Sequence, residues 1–462
     1  MEQAGTLLLE ALRAAPRRYR MPPLPAGADA AASAPPDTAL AFALEVARTA
    51  GLRDSPPPDD VRALFTRSLA QLIRAALAPE GGDAAFQALA LRTSDAEVDA
   101  YVRLVEQSNA DRRTVRALVN GLAHPARLHA LAPGPLHDAL AQLHQLASAQ
   151  AWAEVADTMR LLLLEPFLQD DALREALQAA LAGEALQRLL RAGAALQHAG
   201  VRRYRVLREQ HGPAAGSQAA AQQGRAAARA GELAERAAAQ ALGGVAALLE
   251  RHTGRAPPAG WRVVRNLRTP PGFPGDADKA KDEWDAAIVC GGETDGDGAA
   301  HGIVLLAEVK AAPAAATPDF ARLLRGLERL ALADPDARYT FACADGQLRL
   351  RGASLRRLRP DGRALPPHVV YCCCAAAELQ PAMLSAGSKA VLLAEPASLA
   401  WAHRLARGEA PPHTELTPVW EALAVEPRLR AALHQYDTAR AVREAMLHPD
   451  DLLETVARLA GG

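Results

Sequence analysis

Apolar residues recur at helical spacing through most of the first 210 positions of the chain. In PPPDDVRALFTRSLAQLIRAAL, prolines and an aspartate cap precede apolar residues at i, i+3, i+4 and i+7, which is typical of an amphipathic helix. Similar patterns occur at 94–107, 111–122, 135–148, 151–164 and 170–197. No strict repeat period links these segments, so they predict an irregular all-helical domain over residues 39–212.

Alternation of apolar and polar residues, the pattern of half-buried strands, begins only after residue 213. A long helix is predicted at 217–251, and strands are predicted at 261–267, 285–289, 302–310, 339–344 and 368–376. We also expect a helix at 318–333 and one further strand at 389–395. The Gly- and Asp-rich segment CGGETDGDGAAH suits a hairpin loop between the second and third strands.

The order of these elements predicts an α/β domain, with a mixed central sheet flanked by helices, preceded by an all-α domain. A chain of 462 residues also exceeds what one hydrophobic core usually holds, which favours several domains. The predicted boundaries are 1–38 for an N-terminal helix and Pro/Ala-rich linker, 39–212 for the all-helical domain, 213–396 for the α/β domain and 397–462 for C-terminal helices.

Lysine is scarce in a chain that is otherwise rich in basic residues. Of the 52 lysines and arginines only four are lysines, at positions 279, 281, 310 and 389, so Lys310 stands out on composition alone. The net charge of −1 gives no indication of nucleic-acid binding, but arginines concentrate in residues 349–363 against a single acid, Asp361. Such a cluster is typical either of a solvated face or of a phosphate-binding surface.

Several classes of protein receive no support from the sequence. Five cysteines are too few for a disulfide framework, and the adjacent Cys372, Cys373 and Cys374 would alternate between strand faces, which prevents them from sharing a metal. No apolar run of membrane-spanning length occurs, and Glu10 interrupts the first hydrophobic run, which disfavours a signal peptide. The expected location is the cytoplasm, without membrane association. No P-loop, G-x-S-x-G or Cys/His zinc spacing is present.

The candidate chemistry lies at the end of the apolar strand LLAEVK. Glu308 and Lys310 are two positions apart, so their side chains share one strand face, roughly 6.5–7 Å apart along it. Asp285 opens the preceding strand, and a hairpin between the two strands would bring its carboxylate close to that of Glu308. Two such carboxylates repel each other and suit a hard divalent cation such as Mg²⁺, while the lysine would hold water or offset phosphate charge. The alternative is a structural ion pair at a sheet edge.

This arrangement resembles the PD-(D/E)XK, or restriction-endonuclease-like, nuclease superfamily. The residues that carry the resemblance are Glu235 in the long predicted helix, Asp285 in DEWDAAIV, and Glu308 with Lys310 in LLAEVK. The similarity covers about residues 225–345, roughly a quarter of the chain.

Two positions depart from the family pattern or compete within it. Trp284 precedes Asp285 where the family often has proline. Glu232 competes with Glu235 for the helix position, and Glu235 is preferred for its spacing to the apolar residues that follow.

The resemblance implies an αβββαβ core, dependence on Mg²⁺ or Mn²⁺, and hydrolysis of phosphodiester bonds by the domain at 213–396. Asp285 and Glu308 would bind the metal, joined by the backbone carbonyl of Val309. Lys310 would serve the attacking water, and Glu235 would support a ligand or a second metal.

The expected function is thus a metal-dependent nuclease, with DNA favoured over RNA, in a setting such as antiviral defence in bacteria or a toxin-like effector. The alternative is a nuclease fold that binds nucleic acid or acts as a scaffold without catalysis.

Arginines near the motif predict a surface for the phosphate backbone. In the helix after the motif, Arg322, Arg325 and Arg329 recur at i, i+3 and i+7. The predicted nucleic-acid contacts are Arg322, Arg325, Arg356, Arg357 and Arg359. Contacts of this kind contribute affinity without sequence selectivity. The sequence leaves open whether the helical domain recruits a protein partner and whether the chain forms a homo-oligomer.

Overall fold

The computed structural model describes residues 2–213, 217–254, 260–295 and 298–461. The chain divides into two compact units. The first comprises Met1–Leu72, Gly216–Leu392 and Pro412–Gly462, and the second comprises Ile73–Ala215 and Leu393–Pro411. Over the described ranges, no helix is both long and apolar enough to cross a membrane.

Helices fill the chain as far as residue 211, which confirms the predicted all-helical region. They are α1 (Glu2–Ala14), α2 (Ala28–Ala32), α3 (Pro36–Gly51), α4 (Asp59–Leu77), α5 (Ala84–Ser94), α6 (Ala96–Ala123), α7 (Pro125–Leu128), α8 (Pro135–Ala149), α9 (Trp152–Leu164), α10 (Asp171–Ala182), α11 (Glu184–Ala195) and α12 (Ala199–His211). Aspartate side chains at 83, 95 and 170 each accept two backbone N–H hydrogen bonds, which begins α5, α6 and α10.

The second unit has an apolar core of its own. Helices α6, α8, α9, α10 and α11 contribute to it, and Val119, Leu143 and Met159 are fully buried there. The amphipathic spacing seen in the sequence directs these residues inward, so helix–helix packing stabilises this unit.

The remaining helices are α13 (Gln218–Thr253), α14 (Phe320–Leu330), α15 (Gly352–Arg356), α16 (Ala386–Leu393), α17 (Pro396–Ala406), α18 (Thr417–Val425), α19 (Arg430–Leu433), α20 (Gln435–Glu444) and α21 (Pro449–Gly461). Short 3₁₀ helices lie at Pro313–Ala316, His413–Leu416 and Pro427–Leu429. The strands are β1 (Trp261–Arg268), β2 (Glu283–Asp295), β3 (Gly298–Lys310), β4 (Arg338–Cys343), β5 (Gly346–Arg351), β6 (Val369–Cys373) and β7 (Met446–Leu447). The middle of the predicted β2–β3 loop, residues 296–297, lies outside the described residues.

The strands form one mixed sheet, part of which closes on itself. β1, β2 and β3 pair antiparallel in succession, and β4 and β5 form a hairpin. β4 pairs with β1 through Ala342 and Arg268, and β5 pairs in parallel with β3 through Leu350 and His301. These contacts close five strands into a ring. β6 continues the sheet parallel to β3 over residues 306–310, and β7 is parallel to β6.

The mixed sheet with flanking helices confirms the predicted α/β domain, but two features differ from the prediction. Strand β5 was not predicted, and with β4 it closes the ring, which pairs strand edges that would otherwise be open. The strand predicted at 389–395 was wrong, because this segment belongs largely to α16. Ser385 Oγ accepts the Ser388 backbone N–H at 3.1 Å and caps that helix, and a short apolar run fits a strand or a buried helix equally well.

Apolar cores cover both faces of the sheet. One joins α14 to all five ring strands and includes Trp284, Leu306 and Phe341. The other joins α1, α13 and α21 to the opposite side chains of β2 and β3, such as Ile288 and Leu305. Strand β3 is therefore packed on both faces, which holds the residues at its end in defined positions.

Gly326 of α14 marks a close approach that a substitution can test. A Cβ there would lie 2.7 Å from the Lys281 carbonyl oxygen and 3.0 Å from the Trp284 ring, so alanine requires a shift. We expect Gly326→Ala to lower the free energy of unfolding by about 1–3 kcal/mol in denaturant titrations. Gly243→Ala in α13, where a Cβ meets open space, is the matched control and should raise it by up to about 1 kcal/mol. Equal stabilisation by both substitutions would contradict this packing.

Candidate active site

Asp285 and Glu308 lie on neighbouring strands at the end of the β2–β3 hairpin. Ala286 pairs with Ala307, so the next antiparallel step sets Asp285 opposite Glu308. Asp285 Oδ2 also accepts the backbone N–H of Val309 at 2.7 Å, which ties its carboxylate to β3. Directly opposite residues have Cβ atoms about 4.5–5.5 Å apart, so the two carboxylates are close neighbours.

Glu308 is a carboxylate enclosed by protein, with only 2% of the residue exposed. Its Oε1 accepts hydrogen bonds from Lys281 Nζ at 2.8 Å and from Lys310 Nζ at 2.7 Å. Its Oε2 is buried and has no hydrogen-bond partner among the described residues. Burial, followed by the charge of Asp285, raises the pKa of the Glu308 carboxyl to about 7 despite the two lysines.

Lys310 links Glu308 to a third carboxylate. Its Nζ also donates to Asp319 Oδ2 at 3.0 Å, and Asp319 immediately precedes α14. Burial by itself would raise the pKa of the Asp319 carboxyl, but the hydrogen bond from Lys310 and the charges of Lys310 and Lys281 hold it below its usual value. Burial likewise opposes the ammonium of Lys310, but Glu308 and Asp319 hold its pKa above the usual value. Both groups are therefore charged near neutral pH.

Lys281 reaches Glu308 from the connection between β1 and β2. Residues 279–282 of this connection, here called the Lys281 segment, are fastened to α14. The Lys281 backbone N–H donates to the Arg322 carbonyl at 3.1 Å. The Arg325 Nε donates to the Lys279 carbonyl at 2.9 Å, and the Arg322 guanidinium donates to Asp282 at 3.4 Å. Arg322 and Arg325 are exposed, and they also hold this segment in place.

Tyr371 of β6 completes the buried side of the site. It pairs in register with Glu308 across the parallel β3–β6 ladder and is fully buried. Its hydroxyl has no hydrogen-bond partner among the described residues. Burial and the nearby carboxylates, first Asp319 and then Glu308, raise the pKa of the phenol, so it stays neutral and keeps its proton.

Glu235 lies on α13 with its side chain exposed. Loss of water on the side of Glu235 that faces the protein, followed by the charges of Asp285 and Glu283, raises the pKa of its carboxyl. Glu235 therefore belongs to the electrostatic surroundings of the site. Glu232, the competing helix position, is also exposed.

The second group of predicted arginines lies elsewhere on the sheet. Arg356, Arg357 and Arg359 are exposed at or after α15. Arg357 donates to the Ile303 carbonyl at 3.5 Å, and Ile303 is seven residues before Lys310, or roughly 23 Å along β3. The structure thus places Arg357 near the Ile303 end of β3 and away from the carboxylates at the other end.

Arg329 differs from the predicted exposed basic face. It is buried, it donates to the Phe273 carbonyl at 3.3 Å, and its guanidinium lies over the Phe273 ring. The i, i+3, i+7 spacing places three residues near one face of a helix, but it does not show where the exposed surface ends and the buried core begins.

Three residues of the site were missed in the sequence. Lys281 carried one signal, because it is one of only four lysines in the chain. Asp319 and Tyr371 carried none, since one precedes a helix and the other interrupts a run of apolar strand residues. Their relation to Glu308 depends on tertiary contacts that spacing along the chain does not express.

The oxygen donors available at this site are of the type that a hard divalent cation prefers. Asp285 and Glu308 supply two carboxylates, and Mg²⁺ commonly takes one or two carboxylates while keeping several waters. No group of three or more His, Cys, Asp or Glu side chains in the described part of the chain is arranged to hold a metal. A cation here would therefore depend on the two carboxylates, with water or a backbone carbonyl such as that of Val309 completing its shell.

Comparison with known proteins identifies no relative. No family model matches the sequence, and no curated protein or solved structure matches it significantly.

Glu308 should leave a signature in the pH dependence of stability. Its pKa of about 7 in the fold exceeds the ordinary value of 4.5, so folding favours the protonated form and stability is lost as pH rises between these values. We expect this group to cost the wild type roughly 3 kcal/mol of unfolding free energy between pH 4.5 and 7, and Glu308→Gln to lack that loss. Urea titrations in chelator at pH 5 and 7.5 measure the difference. Parallel pH profiles for the two proteins would show that Glu308 titrates normally.

Proposed function

We propose that this protein is a Mg²⁺- or Mn²⁺-dependent nuclease with Asp285, Glu308 and Lys310 at its active centre. The proposal depends on one observation: Asp285 and Glu308 face each other on the neighbouring strands β2 and β3, and Lys310 lies on the same face as Glu308. The element order supports it, because α13, β1, β2, β3, α14 and β6 follow the αβββαβ order of PD-(D/E)XK nucleases, with β6 parallel to β3. The β4–β5 hairpin would then be an insertion between α14 and β6.

The side chains divide the work of phosphodiester hydrolysis. Asp285 and Glu308 would hold the cation, which would supply Lewis-acid activation of water and neutralise charge on the phosphate. Lys310 would orient the attacking water or approach a phosphate oxygen, because its side chain is 17% exposed while that of Lys281 is 8% exposed. The hydrogen bond from Lys310 to Asp319 would keep the Lys310 ammonium charged and directed toward the water or phosphate.

DNA is the proposed substrate in preference to RNA, and this preference rests on the nuclease resemblance because phosphate contacts do not distinguish the two. Arg322 and Arg325 are exposed on α14, the helix that begins at the site, and suit contacts with phosphates. Such contacts supply affinity in proportion to the phosphates neutralised, so we expect binding to weaken steeply with salt. A role in defence against foreign DNA or as a toxin-like effector rests on the nuclease resemblance.

A non-catalytic nuclease fold that binds nucleic acid or serves as a scaffold is the second candidate. The observation that favours it is the saturation of Glu308 Oε1 by two lysines, which forms a closed ion-pair network with Asp319. Such a network stabilises a buried carboxylate without a metal. The two candidates differ in whether bound nucleic acid is cut.

Nuclease activity and its dependence on the site can be tested together. We expect cleavage of single- or double-stranded DNA that requires Mg²⁺ or Mn²⁺, stops in chelator and is about 100-fold slower or more in Lys310→Ala, Glu308→Ala and Asp285→Ala. Gel analysis of DNA and RNA substrates measures the rates. Lys389→Ala is the matched control, because Lys389 pairs with Asp37 on another part of the unit and its loss should leave cleavage unchanged.

The outcomes separate the two candidates. Cleavage that survives all three site substitutions would locate the active site elsewhere. Salt-sensitive nucleic-acid binding by the wild type without cleavage under any metal condition would favour the non-catalytic alternative.

The helix glutamate gives a second matched pair. Glu235 shares the electrostatic surroundings of Asp285. Its spacing to the apolar residues that follow favours it over its exposed neighbour Glu232, so only Glu235 is expected to act in the site. We predict that Glu235→Gln slows cleavage about 10–100-fold, as loss of an outer ligand partner does, and that Glu232→Gln changes it less than about twofold. Initial rates of cleavage at saturating Mg²⁺ compare the two variants. A larger effect of Glu232→Gln would assign the helix position to Glu232 instead of Glu235.

A further inference from the structure

Lysine is the cation at Glu308 in a chain that uses arginine almost everywhere else. The buried carboxylates of Asp111 and Asp451 are each held by an arginine, Arg188 and Arg18. Glu308 instead takes two of the chain's four lysines on a single oxygen. In a chain with 48 arginines and four lysines, two lysines on one carboxylate depart from the general composition.

The two cations differ in how they bind a carboxylate. Arginine binds a carboxylate through a planar fork that engages both oxygens, as Arg188 does on Asp111. Lysine is a compact point charge that can share one oxygen and leave the other unpaired. At Glu308 both ammonium groups bond Oε1, and Oε2 has no partner in the described structure.

The two lysines are held in different ways. Lys310 lies at the end of β3, is the more exposed, and divides its ammonium between Glu308 and Asp319. The ammonium of Lys281 donates to Glu308 Oε1, and the Lys281 backbone N–H is fixed to α14 by the Arg322 carbonyl. The absence of a side chain at Gly326 permits that close approach.

We infer that Lys281 is a positioning residue of the proposed nuclease site: it retains Glu308 Oε1 while Lys310 leaves Glu308 to meet the substrate phosphate or water. The catalytic part of this inference rests on the proposed nuclease function. While Lys310 leaves Glu308, Asp319 keeps its hydrogen bond to the Lys310 ammonium, and Lys281 keeps its bond to Glu308 Oε1. Neither Lys310 nor Glu308 is then left as an isolated buried charge.

The small number of lysines allows a direct test of the contact in the intact chain. Brief labelling with an amine-reactive reagent, followed by peptide mass spectrometry, reports all four lysines in one experiment. In the wild type without metal we expect Lys279 to label fastest and Lys281 slowest, as their exposures of 78% and 8% indicate. Glu308→Gln should increase the labelling of Lys281 at least threefold and leave Lys279 and Lys389 unchanged. No increase at Lys281 would overturn its assigned hold on Glu308.

The positioning role is tested by kinetics on the same DNA substrate. We expect Lys281→Met to lower kcat about 10–100-fold with little change in KM, because Lys310 is then retained by Glu308 while the contacts to DNA remain. Lys281→Arg should recover less than half of the lost activity, since its fork would engage both oxygens of Glu308. Lys279→Met, on the same segment and exposed, is the matched control and should cut at the wild-type rate.

The results distinguish this inference from the function on which it rests. A wild type that cuts DNA, with Lys281→Met cutting equally well, would overturn the role of Lys281 and leave the nuclease proposal standing. If Lys279→Met lowers kcat as much as Lys281→Met does, the effect belongs to the Lys281 segment as a whole. That result would also overturn the positioning role of Lys281. If the wild type cuts no nucleic acid, the nuclease proposal fails, and with it the catalytic part of the role. The labelling result then still decides whether Lys281 holds Glu308.

Discussion

The burial of the Glu308 carboxylate is the interaction on which this part of the structure depends. Removing a carboxylate from water costs several kcal/mol unless charged partners and good geometry offset it. Here the partners come from different elements: Lys281 from the β1–β2 connection, Lys310 from β3 itself, and Asp319 behind Lys310 from the start of α14. The folding of these three elements is therefore coupled through one side chain.

The long helix and the apolar strands could be predicted from the sequence, including the short β4 and β6, whereas the arginine-rich β5 could not. The long helix is amphipathic, the first strand alternates and the next two are continuous apolar runs, and these elements appear in the structure as α13 and β1 to β3. Strand β5 was missed because its Arg349 and Arg351 suggested a basic cluster, although buried Leu348 and Leu350 alternate with them. The closed ring could not be foreseen, since it depends on single pairings between distant strands.

The candidate site shows the same division between local and tertiary information. The relation of Glu308 to Lys310 follows from a spacing of two on a strand, and that of Asp285 to Glu308 follows from a hairpin, so both were accessible. Lys281 and Asp319 come from a connection and a helix start, whose positions are set by contacts with α14. Arg322 and Arg325 illustrate the limit, because spacing indicated an exposed basic face but not that the same arginines fasten the Lys281 segment.

The position of the site along β3 follows from a change of neighbour. Near its start β3 pairs with β5 at His301, and from Leu306 onward it pairs with β6 on that same edge. Between these points the backbone is satisfied from outside the ladders: the Ile303 N–H donates to Ser354 Oγ, and the Ile303 carbonyl accepts from Arg357. The strand thus belongs to the closed ring at one end and to an open parallel ladder at the other. Glu308 and Lys310 lie on the ladder side, where Tyr371 and Cys373 of β6 are their register partners. The apolar core that fixes these strands therefore also fixes the positions of the two charged residues.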